Sequence, residues 1–339
     1  MVTGGGGYIG SRLVKTLLAN GFQVFAVDRF FFGQDVFCEV SNADDLKVIK
    51  KDTRSLEMSD FLGVHGVIDL AAMSNDPSAE LDPRITYEVN GHARVRTAEL
   101  AARAGVRRYI LASSCAVYGA MNEGEWANEN SNLNPLTTYS KSCVIAENGI
   151  IDVQERFPEF SSTILRNSTV FGSSRRMRFD LVLNLMVLDA VKRGRIQILG
   201  GGNQWRPLVH IQDIIDSIEQ IIVDDSQAFH GQLINIGHSN FQIRSLAYEV
   251  RKELALPIEI IDINQDADKR NYKVSFEKAK GLGLKMTKSI SFGISEVYEG
   301  LRSGELVDSE RTRTIEWYSR IMQAERLYNE LNVNGRIMF

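Results

Sequence analysis

At 339 residues the chain has room for two domains, or for one large α/β domain with an appended lobe. Hydrophobic residues at 44% and charged residues at 24% are an ordinary globular composition, and a net charge of −4 without a long Lys/Arg block gives no electrostatic ground for nucleic-acid binding. No apolar run approaches the ~20 residues that span a bilayer, no signal peptide precedes the first glycines, and Cys38, Cys115 and Cys143 have neither a disulfide framework nor metal-ligand spacing. These features predict a cytoplasmic protein without a metal site.

Met1-Val2-Thr3 reads as a first strand that turns through Gly4-Gly5-Gly6-Gly7 and reopens as a helix from Tyr8 to Asn20. It is short for a buried parallel strand, usually ~5 or 6 residues, which raises the expectation of a clipped or misplaced start. Gly4, Gly7 and Gly10, spaced three apart, suit a tight bend, close approach to a pyrophosphate and helix-on-strand packing. Backbone N–H groups and the positive helix end then converge on one point, where an anion fits. The apolar run Phe22–Val27 is a second strand ending at Asp28, whose carboxylate suits the hydroxyls of an adenosine ribose and repels a 2′-phosphate. This favours NAD over NADP, with Arg29 keeping the alternative open.

A third strand, Leu46–Lys51, ends at Asp52, placed for an adenine amino group. A fourth, Val64–Leu70, ends at the small residues Ala71 and Ala72, which let backbone lie close to a cofactor. A long helix, Tyr87–Ala104, and a fifth strand, Arg107–Ser114, follow. Strands alternating with helices at this spacing predict a doubly wound parallel sheet of the Rossmann type, with the ligand across its carboxyl ends.

With these residues in hand, the chain resembles the extended short-chain dehydrogenase/reductase family, in its sugar-nucleotide epimerase and dehydratase group. The resemblance rests on Gly4-x-x-Gly7-x-x-Gly10, Asp28, Asp52, Leu70-Ala71-Ala72, Asn90, Ser113-Ser114-x-x-Val117-Tyr118-Gly119 and Tyr139, and later on Gly200–Asp213. It implies an NAD cofactor, held also by Tyr8, Ile9, Arg29, Thr53, Asn167 and Thr169 besides the motif residues. It implies a nucleoside-diphosphate sugar as substrate, touched by Ser74, Ser114, Asp180, Asn184, Arg206 and Arg270. Tyr139 is implied as the base that takes a proton from a sugar hydroxyl as hydride leaves, giving a 4-keto sugar, and Ser114 as the hydrogen-bond partner of the reacting oxygen.

Two departures from the family pattern bear on the chemistry. The pattern is Tyr-x-x-x-Lys, whereas this chain reads Tyr139-Ser140-Lys141-Ser142-Cys143. On a helix i+4 lies ~40° from i, but i+2 is rotated by ~200°, so Lys141 cannot stand in. Cys143 carries no fixed positive charge to lower the phenol's pKa of ~10. A recorded substitution, altered natural chemistry and a silent cofactor-binding protein all stay open. Relatives that remove water carry Asp-Glu after the Ser114 position; here Cys115 and Ala116 stand there, which disfavours dehydration. Cys115 is kept as a possible acid/base, against the plainer reading of a small buried strand-end residue.

The expected division is residues 1–172 for the NAD-binding sheet and 173–339 for a smaller α/β substrate lobe, with about 205–240 returning to the main domain. Met177–Asn184 is expected to open a helix, with Asp180 either on the substrate or capping it. Ile196–Gly200 and Leu208–Ile211 read as strands flanking a glycine turn, and Arg206 as a diphosphate contact. Gln265 falls where some relatives carry another arginine. Glu310–Asn332 reads as an amphipathic C-terminal helix without catalytic content. Helices 90–104 and 139–155 have the composition of a homodimer's four-helix bundle. An epimerase is the first reading; a 4-keto reductase and a silent binding protein are the alternatives.

Overall fold

A computed structural model describes residues 1–38, 40, 43–122, 124–263 and 270–332. β1 (Val2–Thr3) leads through the glycine turn to α1 (Tyr8–Ala19), β2 (Val24–Asp28), β3 (Leu46–Lys50) and β4 (Gly66–Asp69). Two short helices, α2 (Asp76–Ala79) and α3 (Pro83–Thr86), run into a π-helical turn, Tyr87–His92, and then α4 (Ala93–Arg103). β5 (Arg108–Ser114), α5 (Thr138–Arg156) and β6 (Ser161–Asn167) follow. The later part contains β7 (Thr169–Phe171), α6 (Val182–Arg193), β8 (Arg195–Leu199), β9 (Trp205–His210), α7 (Ile211–Val223), β10 (Leu233–Ile236) and β11 (Ser239–Gln242). It closes with α8 (Ile243–Leu254), β12 (Glu259–Ile263), α9 (Glu277–Gly281), α10 (Ile290–Ser303) and α11 (Thr314–Leu331).

The main sheet is parallel, in the order β10-β6-β5-β4-β1-β2-β3. The order reverses between β1 and β4, so the crevice past their carboxyl ends is where such a sheet takes a ligand. Helices cover both faces. On one, α4 and α5 bury Ala98, Ala101, Ala146 and Ile150 against Leu56, Tyr109 and Phe160. On the other, α1 and α7 bury a core that runs on without a break into α6, α8 and α10. In α7 the buried residues Ile211, Ile214, Ile215, Ile218 and Ile221 repeat at helical spacing, which puts them on one face.

Some expectations shift. The long helix before β5 starts as a π turn. Met177–Leu181 is not helical: α6 begins at Val182 with Leu181 as its cap residue, so Asp180 does not cap it. β8 and β9 flank the Gly200–Gly202 turn without pairing with each other, β8 joining β12 and β9 lying between β7 and β11. Gln265 lies outside the described residues.

β1 is short but firmly held. The Met1 amino group donates to Gly66 O at 2.8 Å, and Leu70 N donates to Thr3 O at 3.1 Å. Beneath it lies Asp69, 1% exposed, whose carboxylate accepts from Thr3 Oγ1 at 2.6 Å, Tyr109 Oη at 2.7 Å and Arg94 Nε at 3.1 Å. Arg94 also donates to the Asp69 carbonyl at 2.6 Å and the Ala112 carbonyl at 2.9 Å, so one buried ion pair ties β1, β4 and β5 together. Removing one partner of such a pair strands a buried charge. Arg94→Ala is therefore expected to lower stability by about 3–5 kcal/mol, read as a lower urea midpoint; a loss below 1 kcal/mol would show that the pair is not needed.

Candidate active site

A cavity of about 1570 Å³ follows the crevice, larger than the ~300–1,000 Å³ that holds one small molecule. At one end is the glycine turn. Gly4 has φ +68°, and Gly7 N donates to Gly4 O at 3.0 Å. A Cβ on Gly10 would stand 2.1 Å from Gly4 O, and one on Gly4 would stand 2.8 Å from Ala71 N. The turn can thus close only without side chains at these positions. No side chain caps the start of α1, which leaves its N-terminal amides directed at the cavity.

Asp28 faces this turn. Its Oδ2 accepts from Gly6 N at 3.1 Å and its Oδ1 from Phe30 N at 2.7 Å, while burial pushes the carboxyl's pKa up. Asp52 accepts from the Arg54 backbone N–H and guanidinium, and from Arg29 Nη1 at 3.2 Å. The hydrogen bond from Arg54 is the largest influence holding its pKa down. Arg29 is thereby spoken for: its guanidinium pairs with Asp52 and stacks 4.3 Å from the Phe31 ring centroid. Tyr8, Ile9, Thr53, Leu70, Ala71, Ala72 and Thr169 line the same space. Asn90 does not; it is fully buried and clamps Met73, accepting from its N–H at 2.8 Å and donating to its carbonyl at 3.1 Å.

The middle of the cavity holds Tyr139 with Ser114 on the same wall, and Cys143, one helical turn along α5, stands behind it. Burial is the main cause that raises the phenol's pKa, with Cys143 and Asp76 adding to it and Arg94 and Ser114 opposing. The phenol therefore stays protonated at neutral pH. Cys143, behind Tyr139 and itself off the cavity wall, is pushed up to about 12, again mainly by burial. Lys141 is exposed on the opposite face of α5. Asn167 sits beside Ser114 in the sheet register, 7% exposed, and its Oδ1 has no hydrogen-bond partner.

Cys115 is not in the cavity. Its thiol donates to Arg166 O at 3.1 Å, and burial raises its pKa to about 12, so it behaves as a buried packing residue.

Toward the lobe, charges meet in pairs. Arg178 grips Asp180 through Nε at 3.1 Å and Nη2 at 2.7 Å and reaches Ser74 Oγ at 3.0 Å, while Asn75 Nδ2 donates to Asp180 at 2.7 Å. Arg270 pairs with Asp76, and Arg206 Nη1 donates to Arg270 O at 2.6 Å. Asn184, expected at the substrate, is fully buried instead and holds Gly172 N, Tyr8 Oη and Arg178 O. It shapes the wall from behind.

Sequence reasoning missed Arg176 and Arg178, although the basic cluster Arg175-Arg176-Met177-Arg178 directly after Gly172 was visible. It read the C-terminal helix as such but missed its place at the site: Ile315, Tyr318, Ile321, Met322 and Glu325 of α11 form part of the cavity wall. The aromatic run Phe30–Phe32, against which Trp317 and Tyr318 pack, was its one signal.

The sequence pattern of the NAD dependent epimerase/dehydratase family matches residues 1–237. The chain is 26% identical over 311 residues to a putative UDP-glucose 4-epimerase of Methanocaldococcus jannaschii, covering 89% of this chain and 98% of that protein. It is 25% identical over 289 residues to UDP-glucuronic acid decarboxylase 1 of Arabidopsis thaliana, covering 83% of this chain and 64% of that one. Among solved structures it is similar to MoeE5 in complex with UDP-glucose and NAD, with TM-score 0.77, 25% identity, and coverage of 90% and 99%. The residues present fit the family's cofactor: a side-chain-free cradle, an uncapped helix start, a carboxylate, Asp28, on the cavity wall beside the turn, and an orphaned acceptor on Asn167. Sheet order, glycine turn and family pattern agree, and the chain belongs to the NAD dependent epimerase/dehydratase family.

Proposed function

We propose that the protein binds NAD along the glycine turn and a nucleoside-diphosphate sugar toward Arg206 and Arg270, and epimerises the sugar at C4 through a 4-keto form. The observation that carries this reading is the placement of Tyr139 and Ser114 together on the wall of a cavity large enough for both molecules, near enough that Ser114 lowers the phenol's pKa. Bound NAD supplies a hydride acceptor that returns what it takes. Ser114 orients the sugar hydroxyl and Tyr139, in its ionised form, accepts the hydroxyl's proton; once the 4-keto sugar presents its other face, Tyr139 returns the proton to the same oxygen and C4 is inverted. Asp76 and Asp180, each already paired with an arginine, orient sugar hydroxyls without adding net charge. Cys115 and Ala116 offer no acid pair beside C4, which supports a route without loss of water. The M. jannaschii relative's description points the same way, whereas the decarboxylase relatives leave the sugar's C5 substituent open.

A second reading, a protein that binds both ligands without turning them over, draws on one specific observation. Cys143 stands beside Tyr139 where the family pattern has a lysine, and burial together with Cys143 raises the phenol's pKa. A general base works only when deprotonated, so activity resting on a raised pKa is lost below that pKa and grows as pH rises toward it. The unaltered protein is expected to show slow turnover of UDP-sugars that climbs through the alkaline range. Cys143→Lys should raise turnover at pH 7 by about 100-fold or more and move the rising limb to lower pH. Product analysis on a nucleotide-sugar panel with catalytic NAD checks this. Turnover by neither protein would leave the silent reading standing, and stoichiometric consumption of NADH with a 4-keto sugar would make it a reductase.

Gly10→Ala tests the cofactor half alone. Its Cβ meets Gly4 O at 2.1 Å, so the turn must open, at about 1–3 kcal/mol, and NAD affinity by calorimetry should fall about tenfold or more. Unchanged NAD affinity would show that the cofactor does not rest on this turn.

A further inference from the structure

Arg176 differs from its neighbours in the cavity wall. It is 6% exposed, yet among the described residues no carboxylate lies within ion-pair distance of it, and its Nε has no hydrogen-bond partner. Asp180, two positions beyond Arg178, is held by that arginine rather than by Arg176. What Arg176 does touch is apolar or neutral: the guanidinium lies 3.6 Å from the Phe32 ring centroid, Nη2 donates to Thr314 Oγ1 at 3.0 Å, and Nη1 to Met177 O at 3.4 Å. Burial, followed by the charge of Arg178, lowers its pKa to about 10 against the opposing pull of Asp180, Tyr318 and Asp28, which act from beyond ion-pair distance. A buried, unpaired guanidinium facing a cavity is costly unless an anion completes it.

Its position says which anion. The segment before it is fastened to the start of α1: Ser174 Oγ donates to Tyr8 O at 2.7 Å and shares a hydrogen bond with Ser11 Oγ at 3.0 Å, and Arg12 Nη1 donates to Ser173 O at 2.8 Å. The segment leading to Arg176 is thus tied to the uncapped start of α1, where backbone amides and the helix dipole favour a phosphate, and Arg176 lines the same cavity as Gly7 and Tyr8. Its other contacts belong to the C-terminal helix. Thr314 is the one buried residue of α11, Tyr318 lies 5.3 Å from Phe32, and Trp317 Nε1 donates to Phe31 O at 2.7 Å. Farther along, α11 packs on α2 and so crosses the cavity from the Phe31–Phe32 end.

We propose that Arg176 binds the diphosphate of the dinucleotide and, through Phe32 and Thr314, makes α11 a strap whose docking over the cavity is tightened by that diphosphate. The proposal rests on NAD occupying the glycine turn, not on epimerisation, and its test needs no turnover.

The test uses the full chain and calorimetry with four probes: NAD, ADP, adenosine and UDP. Arg176→Met keeps the packing on Phe32 and removes the charge. It is expected to weaken NAD and ADP by roughly tenfold to a hundredfold, the worth of a charge-assisted hydrogen bond, while adenosine and UDP change less than about twofold. Equal weakening of adenosine would make Arg176 a purely structural residue. Weakening of UDP instead of ADP would place the anion on the sugar nucleotide, and either result overturns the proposal. Hydrogen exchange reads the strap: ADP should slow exchange of the 314–331 amides in the unaltered protein, adenosine should not, and Thr314→Val should lose the ADP-dependent slowing while keeping most of the ADP affinity. Exchange of α11 that ignores ADP in the unaltered protein overturns the coupling. If Arg176→Met does not fold, the unaltered protein and Thr314→Val still decide it, because ADP-dependent protection retained in Thr314→Val overturns the link through that hydroxyl.

Discussion

The working end of this protein depends on one close approach, that of Gly10 to the carbonyl of Gly4. Because nothing occupies the space where a Cβ would collide at 2.1 Å, α1 can start immediately behind β1 with its free amides at the crevice. The same economy of space brings Ala71 against Gly4, so the end of β4 and the glycine turn form one surface. That surface is braced from below by Asp69, Arg94, Thr3 and Tyr109. A two-residue strand thus serves as an interior strand of a seven-stranded sheet, since its neighbours and a buried ion pair supply the fixation that its own length does not.

Charge in the cavity is arranged by the same logic of satisfaction. Arg178 with Asp180, Arg270 with Asp76, and Arg29 with Arg54 around Asp52 are each neutralised or nearly so before any ligand arrives. Paired groups such as these orient hydroxyls and set shape. Two places break the pattern in opposite senses. Arg176 is a buried cation with no carboxylate at ion-pair distance among the described residues, and Tyr139 is a would-be base whose nearby cation, Arg94, is already paired with Asp69. The first lies on the cavity wall beside Phe32 and the second on the same wall as Ser114, so the proposed diphosphate contact and the proposed proton transfer fall at the two departures from local neutrality.

The parts of this picture that were legible in the sequence are those whose spacing is fixed by backbone geometry. Gly4, Gly7 and Gly10 forecast the turn because only glycines close it, and the alternation of strands and helices forecast the sheet. The i+4 argument that separated Cys143 from Lys141 holds because α5 is a regular helix, with Lys141 exposed and Cys143 buried against Tyr139. What was not legible depends on where irregular segments fold back. Asn184 lies one helical turn from Asp180 in sequence, but the non-helical stretch Met177–Leu181 leaves Asp180 at the cavity and Asn184 on Tyr8 and Gly172. The amphipathic pattern of α11 gave its apolar face but not what that face covers, since a helix beyond the matched 1–237 region can dock anywhere its stripe finds a partner.

The two unpaired groups also bear on each other. A reaction that returns its hydride to the substrate uses its cofactor over and over without exchange, so tight retention costs such an enzyme nothing in rate, whereas a net oxidoreductase must release the cofactor each cycle. A helix laid over the crevice and fastened through Arg176 suits the redox-neutral cycle. It suits equally a protein in which the phenol at 139 never loses its proton, for there the dinucleotide is a structural ligand. The strap therefore does not choose between epimerase and silent binder, but it weighs against the reductase, and the choice that remains falls on the single side chain at 143, where a thiol with a pKa of about 12 stands beside the one hydroxyl that must ionise.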